Sequence, residues 1–200
     1  MNIICLDLEG VLVPEIWIAV SKSVGIPELS RTTRDEPNYQ KLMDFRLDLL
    51  KKNNIKLPDI QNVISGMELL EGAYGFAASV RSKTQLILLS DTFEEFANPL
   101  MKKLSWPTLF CNTLVTEEDG TITGYKIRKQ DGKKQSVMAL RTMNMRVFAA
   151  GDSYNDLDMI READSGCLFR APEQIRKDCH DIKCVDTYDE LLKQITNFLE

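Results

Sequence analysis

Five short apolar runs, at Ile3–Leu8, Leu86–Leu89, Arg146–Ala150, Gly166–Phe169 and Lys183–Val185, are bounded by turn residues and separated by stretches of helical periodicity. This alternation restricts the chain to an α/β, Rossmann-like architecture, a mainly parallel sheet with helices on both faces. Four of the runs end beside Asp or Ser: Asp7, the pair Ser90 and Asp91, Asp152, and Asp186. Open α/β sheets bind ligands outside the carboxyl ends of their strands, so chemistry is sought there first.

About 75 residues separate the first two runs, far more than an ordinary crossover needs. Helical patterns fill the gap at Glu15–Val24, Tyr39–Lys52, Pro58–Ile64 and Gly72–Arg81, the last belonging to the core. The polar Ser30–Asn38 segment, with Pro37, reads as a connector. The expected division is a catalytic core of residues 1–14 and 71–200 and an inserted helical cap of residues 15–70. Asp119 and Gly120, between Thr113–Glu117 and Thr121–Arg128, signal a hairpin.

Two hundred residues with 44% hydrophobic content suffice for one cored domain and a modest insertion. Thirty acidic against 25 basic residues, a net charge of -5, argue against a nucleic-acid partner. No apolar run approaches the roughly 18 residues of a membrane span, so no membrane anchor is expected. The five cysteines are scattered, without a C-x-x-C pair, which points to a reducing cytosol. His180 is the single histidine, which removes His-dependent triads and multi-histidine metal sites from consideration.

Asp7 and Glu9 are two carboxylates two residues apart as a strand ends, followed by Gly10, which permits an abrupt turn. Gly151-Asp152-Ser153-Tyr154-Asn155-Asp156 presents polar side chains where a helix opens near Asn155. Ser90 brings a hydroxyl to the same sheet edge, with Asp91 beside it and a helix beginning near Phe93. Lys133 and Lys134 precede another helical pattern. Each feature has a plain structural reading: a solvated strand end, an N-cap, a basic pair on a surface.

The order of these features resembles the haloacid dehalogenase-like phosphatase superfamily, and the insertion falls where that superfamily places a C1-type cap. The resemblance implies a Mg²⁺ cofactor and phosphoryl transfer through a phosphoaspartate on Asp7. Mg²⁺ would be held by Asp7, the main-chain carbonyl of Glu9 and Asp152, with Asp156 orienting the metal shell and Asn155 lining the site. Ser90 and Lys133 would bind the transferring oxygens, with Lys134 as the competing choice for the lysine. Glu9 would serve as general acid and base. Phosphate-monoester hydrolysis demands up to ~10²¹-fold acceleration, and a nucleophile, a metal and charge-neutralising donors together meet that demand. The chain departs from the pattern twice. Glu9 stands where most of these phosphatases carry Asp, adding about 1.5 Å of reach, and Val11 replaces the usual hydroxyl residue four after the nucleophile.

Within the superfamily, the stretches Leu6-Asp7-Leu8-Glu9-Gly10-Val11-Leu12-Val13-Pro14-Glu15 and Ala149-Ala150-Gly151-Asp152-Ser153-Tyr154-Asn155-Asp156 resemble the bacterial phosphoserine phosphatases that also act as homoserine phosphotransferases. The likeness runs on through Thr32-Thr33-Arg34-Asp35, Arg141 and Ala171-Pro172-Glu173. It implies O-phosphoserine as donor, with water or homoserine as acceptor. Glu15 would hold the substrate ammonium and Arg46 its carboxylate, with Asp91 also in the substrate site. Trp17, Phe45, Met67 and Phe93 are candidates for an apolar pocket wall, core packing being the competing role. The residues leave open a phosphatase or phosphomutase of another small metabolite, and a receiver-like regulator phosphorylated on Asp. Oligomeric state is also open, a homodimer being one option.

Overall fold

The structure, a computed structural model, describes residues 1–33, 35–36 and 38–200. Arg34 and Pro37 of the expected connector lie outside the described residues.

The centre of the fold is β1 (Asn2–Leu6), which pairs in parallel with β2 (Gln85–Phe93) on one side and β5 (Arg146–Gly151) on the other. Around these three the sheet extends to β3 (Thr108–Thr116) and β4 (Ile122–Lys126) at one edge and to β6 (Ser165–Phe169) and β7 (Cys184–Val185) at the other. The order is β4-β3-β2-β1-β5-β6-β7. All neighbouring pairs are parallel except β3 with β4.

Strand side chains alternate between faces, and the alternation divides the core. Ile4, Leu6, Leu88 and Phe148 face α4 (Ala73–Arg81), α5 (Glu94–Lys103) and α9 (Tyr188–Leu199). Ile3, Cys5, Leu89 and Val147 face α6 (Gly132–Thr142), α7 (Leu157–Glu162) and α8 (Glu173–Asp178). Burying both faces explains why the central strands read as unbroken apolar runs.

Between β1 and β2 the chain forms α1 (Ile16–Val24), a 3₁₀ turn at Pro27–Ser30, α2 (Tyr39–Lys52) and α3 (Leu57–Ser65). Asn38 caps α2 by accepting from the Lys41 N–H at 3.0 Å. The buried faces of these helices, including Ile16, Val20, Met43, Leu50, Ile60 and Ile64, join the same hydrophobic cluster as one face of the sheet. Each such fully buried aliphatic side chain contributes about 1.5–3 kcal/mol, so the insertion is packed onto the sheet's own core.

Two strands differ from their expected extent. β2 runs on to Phe93, which pairs with Asn112 beyond an irregularity in the ladder. β3 begins at Thr108 rather than Thr113, because its first half pairs in parallel with β2 while its second half forms the expected hairpin with β4. That first half is mostly half-buried, and its apolar run, Leu109-Phe110-Cys111, is shorter than those of the central strands. Among the described residues no helix is long and apolar enough to cross a membrane, and all five cysteines are free thiols.

The hairpin tip supports the insertion. Gly120, at φ +84°, accepts from the Leu57 N–H at 2.9 Å, and Asp119 pairs with Lys56 Nζ at 2.6 Å. A Cβ on Gly120 would lie 2.8 Å from Pro58 Cδ, whereas one on Gly25, also left-handed at φ +70°, would meet nothing within 4 Å. Gly25→Ala should cost about 1–2 kcal/mol in urea unfolding, the strain of a left-handed alanine. Gly120→Ala should cost roughly 1 kcal/mol more through the disturbed contact. Equal losses would show that the hairpin does not support α3.

Candidate active site

Three strand ends converge on one cleft. β1 delivers Asp7, whose N–H donates to the Ala150 carbonyl at 3.0 Å and whose Oδ1 accepts from the Leu8 N–H at 2.7 Å. β5 delivers Asp152, which stands over Gly10: a Cβ at position 10, where φ is +75°, would lie 2.6 Å from the Asp152 carboxyl carbon. β2 carries Ser90 and Asp91 at its end, the Ser90 hydroxyl accepting from the Thr92 N–H at 3.2 Å.

Asp7, Asp152 and Asp156 can each place a carboxylate oxygen so that all three lie within 4.8 Å of one another. Asp156 is fully buried and fully engaged. Its Oδ2 accepts from the main-chain N–H groups of Asp152 and Ser153 and from the Ser153 hydroxyl, and its Oδ1 accepts from Lys133 Nζ at 2.7 Å. Lys133, in the first turn of α6, reaches Asp7 Oδ1 at 2.9 Å and lies 4.0 Å from Asp91 Oδ2. Burial by itself lowers the Lys133 ammonium, but Asp156, Asp7 and Asp91 together hold it well above its ordinary value. Burial, and then Asp156, push Asp7 upward, with Lys133 opposing them.

Lys134 turns away to the exposed Asp158 at 3.6 Å. Asp186 also lies apart from the cleft, paired with Arg176 at the β7 edge. Asn155 donates to Asp91 Oδ2 at 2.9 Å. The Asp91 carbonyl accepts from the Tyr39 hydroxyl at 2.9 Å and from Asn112 Nδ2 at 3.0 Å, tying the insertion to the β2 end.

Glu9 and Glu15 line the cleft from the other side. The Glu9 Oε2 accepts from the Ile16 N–H at 2.8 Å and so caps α1, whose own N-cap residue, Glu15, makes no capping bond. Burial, reinforced by Glu15, pushes the Glu9 carboxyl up to about 7. The Glu9 side chain is not among the clustered carboxylates; its expected metal contact was through the main chain.

Arg46 is 6% exposed and borders the same cleft. Its guanidinium lies over the Trp17 ring at 4.4 Å, and its Nη2 donates to the Arg31 carbonyl at 2.5 Å. Burial lowers it to about 10, with Glu9, Tyr39 and Glu15 pulling the other way. Of the expected wall residues, Trp17 borders the cleft, Phe93 and Met67 belong to the core, and Phe45 lies against Arg31. Tyr39, Thr32 and Ser153 also line the cleft; in the sequence Tyr39 marks only a helix start, and Thr32 and Ser153 belong to the family-like stretches without a site role of their own. The space enclosed is ≈ 100 Å³, suited to a compact ligand.

The chain is 49% identical over 194 residues to a phosphoserine phosphatase of Pseudomonas syringae pv. tomato, spanning 97% of this chain and 82% of that one. It is 48% identical over 194 residues to phosphoserine phosphatase ThrH of Pseudomonas aeruginosa, spanning 97% and 95%. The chain belongs to the phosphoserine phosphatase family. No protein-family profile matches it. Among solved structures, a phosphoserine phosphatase in apo form superposes with a TM-score of 0.79 at 19% identity over 100% of this chain and 99% of that one. A phospho-aspartyl intermediate analogue of phosphoserine phosphatase gives 0.79 at 19% identity over 96% and 98%. At such identities the likeness establishes the fold.

Lys133 is the buried counter-ion of two buried carboxylates. Lys133→Met in metal-free protein should lower unfolding stability by about 3–5 kcal/mol, because an uncompensated buried charge remains. Lys134→Met, on the exposed pair, should change it by less than ~1 kcal/mol. Chemical denaturation of both variants in chelator checks the contrast.

Proposed function

We propose that the chain is a Mg²⁺-dependent phosphoserine phosphatase that works through a phosphoaspartate on Asp7 and also passes the phosphoryl group of O-phosphoserine to homoserine. The observation that carries this reading is the buried Asp7 carboxylate at a strand end, 2.9 Å from Lys133 Nζ and clustered with Asp152 and Asp156. Relatives named phosphoserine phosphatase support the substrate. The homoserine acceptor rests on the resemblance of residues 6–15 and 149–156 to the bifunctional branch. Residues 15–70 are read as a cap, since they bring Glu15, Trp17, Tyr39 and Arg46 to a cleft whose floor is made by residues 1–14 and 71–200. The free thiols suit a cytosolic setting.

The donor set fits Mg²⁺, a hard cation that takes oxygen ligands. Asp7, Asp152 and the Glu9 carbonyl would hold it, and Asp156, whose oxygens are already engaged, would orient the shell. When bound, the cation supplies polarisation of the phosphoryl oxygens.

In the first half-reaction an Asp7 carboxylate oxygen forms a bond to phosphorus as the bond from phosphorus to the seryl oxygen breaks. Glu9 gives its proton to that departing oxygen. In the second half Glu9 takes a proton from water or from the homoserine hydroxyl. The oxygen of that acceptor bonds to phosphorus and the Asp7–phosphorus bond breaks, restoring the carboxylate. Lys133 and Ser90 bind the transferring oxygens, and the Lys133 charge offsets theirs as it spreads. Arg46 receives the substrate carboxylate and Glu15 its ammonium, while Asp91 and Asn155 shape the phosphate end of the cleft.

With Mg²⁺ and O-phosphoserine the protein should release inorganic phosphate, and added homoserine should divert part of it into phosphohomoserine. Asp7→Asn and chelation of Mg²⁺ should each abolish both products. Cleavage of an aryl phosphate with O-phosphoserine untouched would refute the substrate assignment. Glu9→Gln should slow turnover by about 10²–10⁴. Glu9→Asp should change the ratio of transfer to hydrolysis, since the shorter arm alters the reach to the acceptor; an unchanged ratio at low and high homoserine would reject that link.

A further inference from the structure

We infer that Trp17 is a positioning residue that fixes the plane in which Arg46 presents itself to the substrate carboxylate, and thereby a determinant of specificity for amino-acid phosphates. The inference rests on the proposed role of Arg46.

Arg46 stands on the second helix of the insertion and Trp17 on the first, and the guanidinium carbon lies over the indole ring, 4.4 Å from its centroid. The indole is itself held. It is 8% exposed, and Phe96 packs edge-on against it at 5.5 Å and 71°. Phe96 is held in turn by Phe93 at 5.6 Å and 87°. A chain of aromatic contacts therefore runs from the core under β2 to the guanidinium, so the indole plane is a property of the fold.

The edge of the guanidinium is much less constrained than its face. Nη2 donates to the Arg31 carbonyl, and among the described residues Nη1 meets only the Met43 sulfur at 3.7 Å, a weak acceptor. Nε is buried and finds no hydrogen-bond partner among the described residues. A buried donor without a partner is costly, and this one belongs to a side chain that borders the cleft. An arriving carboxylate would supply the missing acceptors. Paired hydrogen bonds between the two planar groups require that the guanidinium plane be set beforehand. The long arginine stem does not set it, since every bond in it rotates. The indole beneath the guanidinium restricts that plane, through a cation–π contact that is strongest in desolvated sites such as this.

Kinetics against a ligand that lacks a carboxylate tests this. Trp17→Leu should raise the KM for O-phosphoserine about tenfold with kcat within about twofold. The Ki of inorganic phosphate as a competitive inhibitor should stay within about twofold, and Trp17→Phe, which keeps an aromatic face, should restore most of the KM. A merely structural role would weaken phosphoserine and phosphate alike. Arg46→Ala in the same assays separates the two levels of the argument. If it weakens both ligands equally, the proposed role of Arg46 fails, and the inference with it. If it weakens O-phosphoserine selectively while Trp17→Leu leaves KM unchanged or weakens both ligands equally, the Trp17 inference is overturned and the role of Arg46 stands.

A second readout covers the case in which Trp17→Leu does not fold. The chain has two tryptophans, and the other, Trp106, is 61% exposed and outside the cleft. In Asp7→Asn carrying Trp106→Phe, saturating O-phosphoserine should change the Trp17 emission while inorganic phosphate should not. Emission unmoved by O-phosphoserine at saturation would overturn the inference.

Discussion

Three carboxylates that can gather within 4.8 Å in a nearly dry site would repel one another, and Lys133 is the group that makes the arrangement tolerable. The sheet order follows from holding this cluster. β1 and β5 must be neighbours for Asp7 and Asp152 to meet, and Gly10 must lack a side chain for Asp152 to lie over it. Asp156 is locked by main-chain donors from its own loop, so the lysine that reaches it is placed with little freedom. A buried network of this kind adds little net stability, and its value lies in fixing one arrangement of charges.

Polar contacts as well as apolar packing join the insertion to this centre, among them three made by Glu9, Tyr39 and Gly120. Glu9 caps α1, the Tyr39 hydroxyl meets the Asp91 carbonyl, and Gly120 receives Leu57. The first is notable for its chemistry. The carboxylate assigned to proton transfer also anchors the helix that begins beside Glu15 and carries Trp17, so the reacting centre and the recognition elements share a residue.

Much of this was legible in the sequence. The parallel sheet and the helices between β1 and β2 follow from apolar runs and helical periodicity, and the placing of Asp7, Ser90 and Asp152 at one sheet edge follows from runs that end in polar residues. Legibility failed where local signals are weak. The first half of β3 is mostly half-buried and follows Trp106 and Pro107, so its three-residue apolar run, Leu109-Phe110-Cys111, gives a weak signal. Lys133 and Lys134 are equivalent as letters, and only the orientation of α6 sends one to Asp156 and the other to Asp158. Asp186 looked like Asp7, a carboxylate after a strand, but β7 lies at the sheet edge and the residue serves an ion pair with Arg176. The cation–π contact of Arg46 with Trp17 joins two helices across a connector, a contact that no periodicity within either helix encodes.

The docking of α3 on the β3–β4 tip sets an order of events during synthesis. Helices α1 to α3 leave the ribosome well before Gly120, the residue that receives Leu57, and β1 leaves long before β5, its partner on one side. The helices α1 to α3 therefore lack the β3–β4 tip that receives Leu57 until residue 120 has emerged. Non-local pairing of this kind slows folding and leaves apolar surface open to other chains meanwhile. The apolar faces of α1 to α3 are thus the part of this protein most in need of a chaperone's cover.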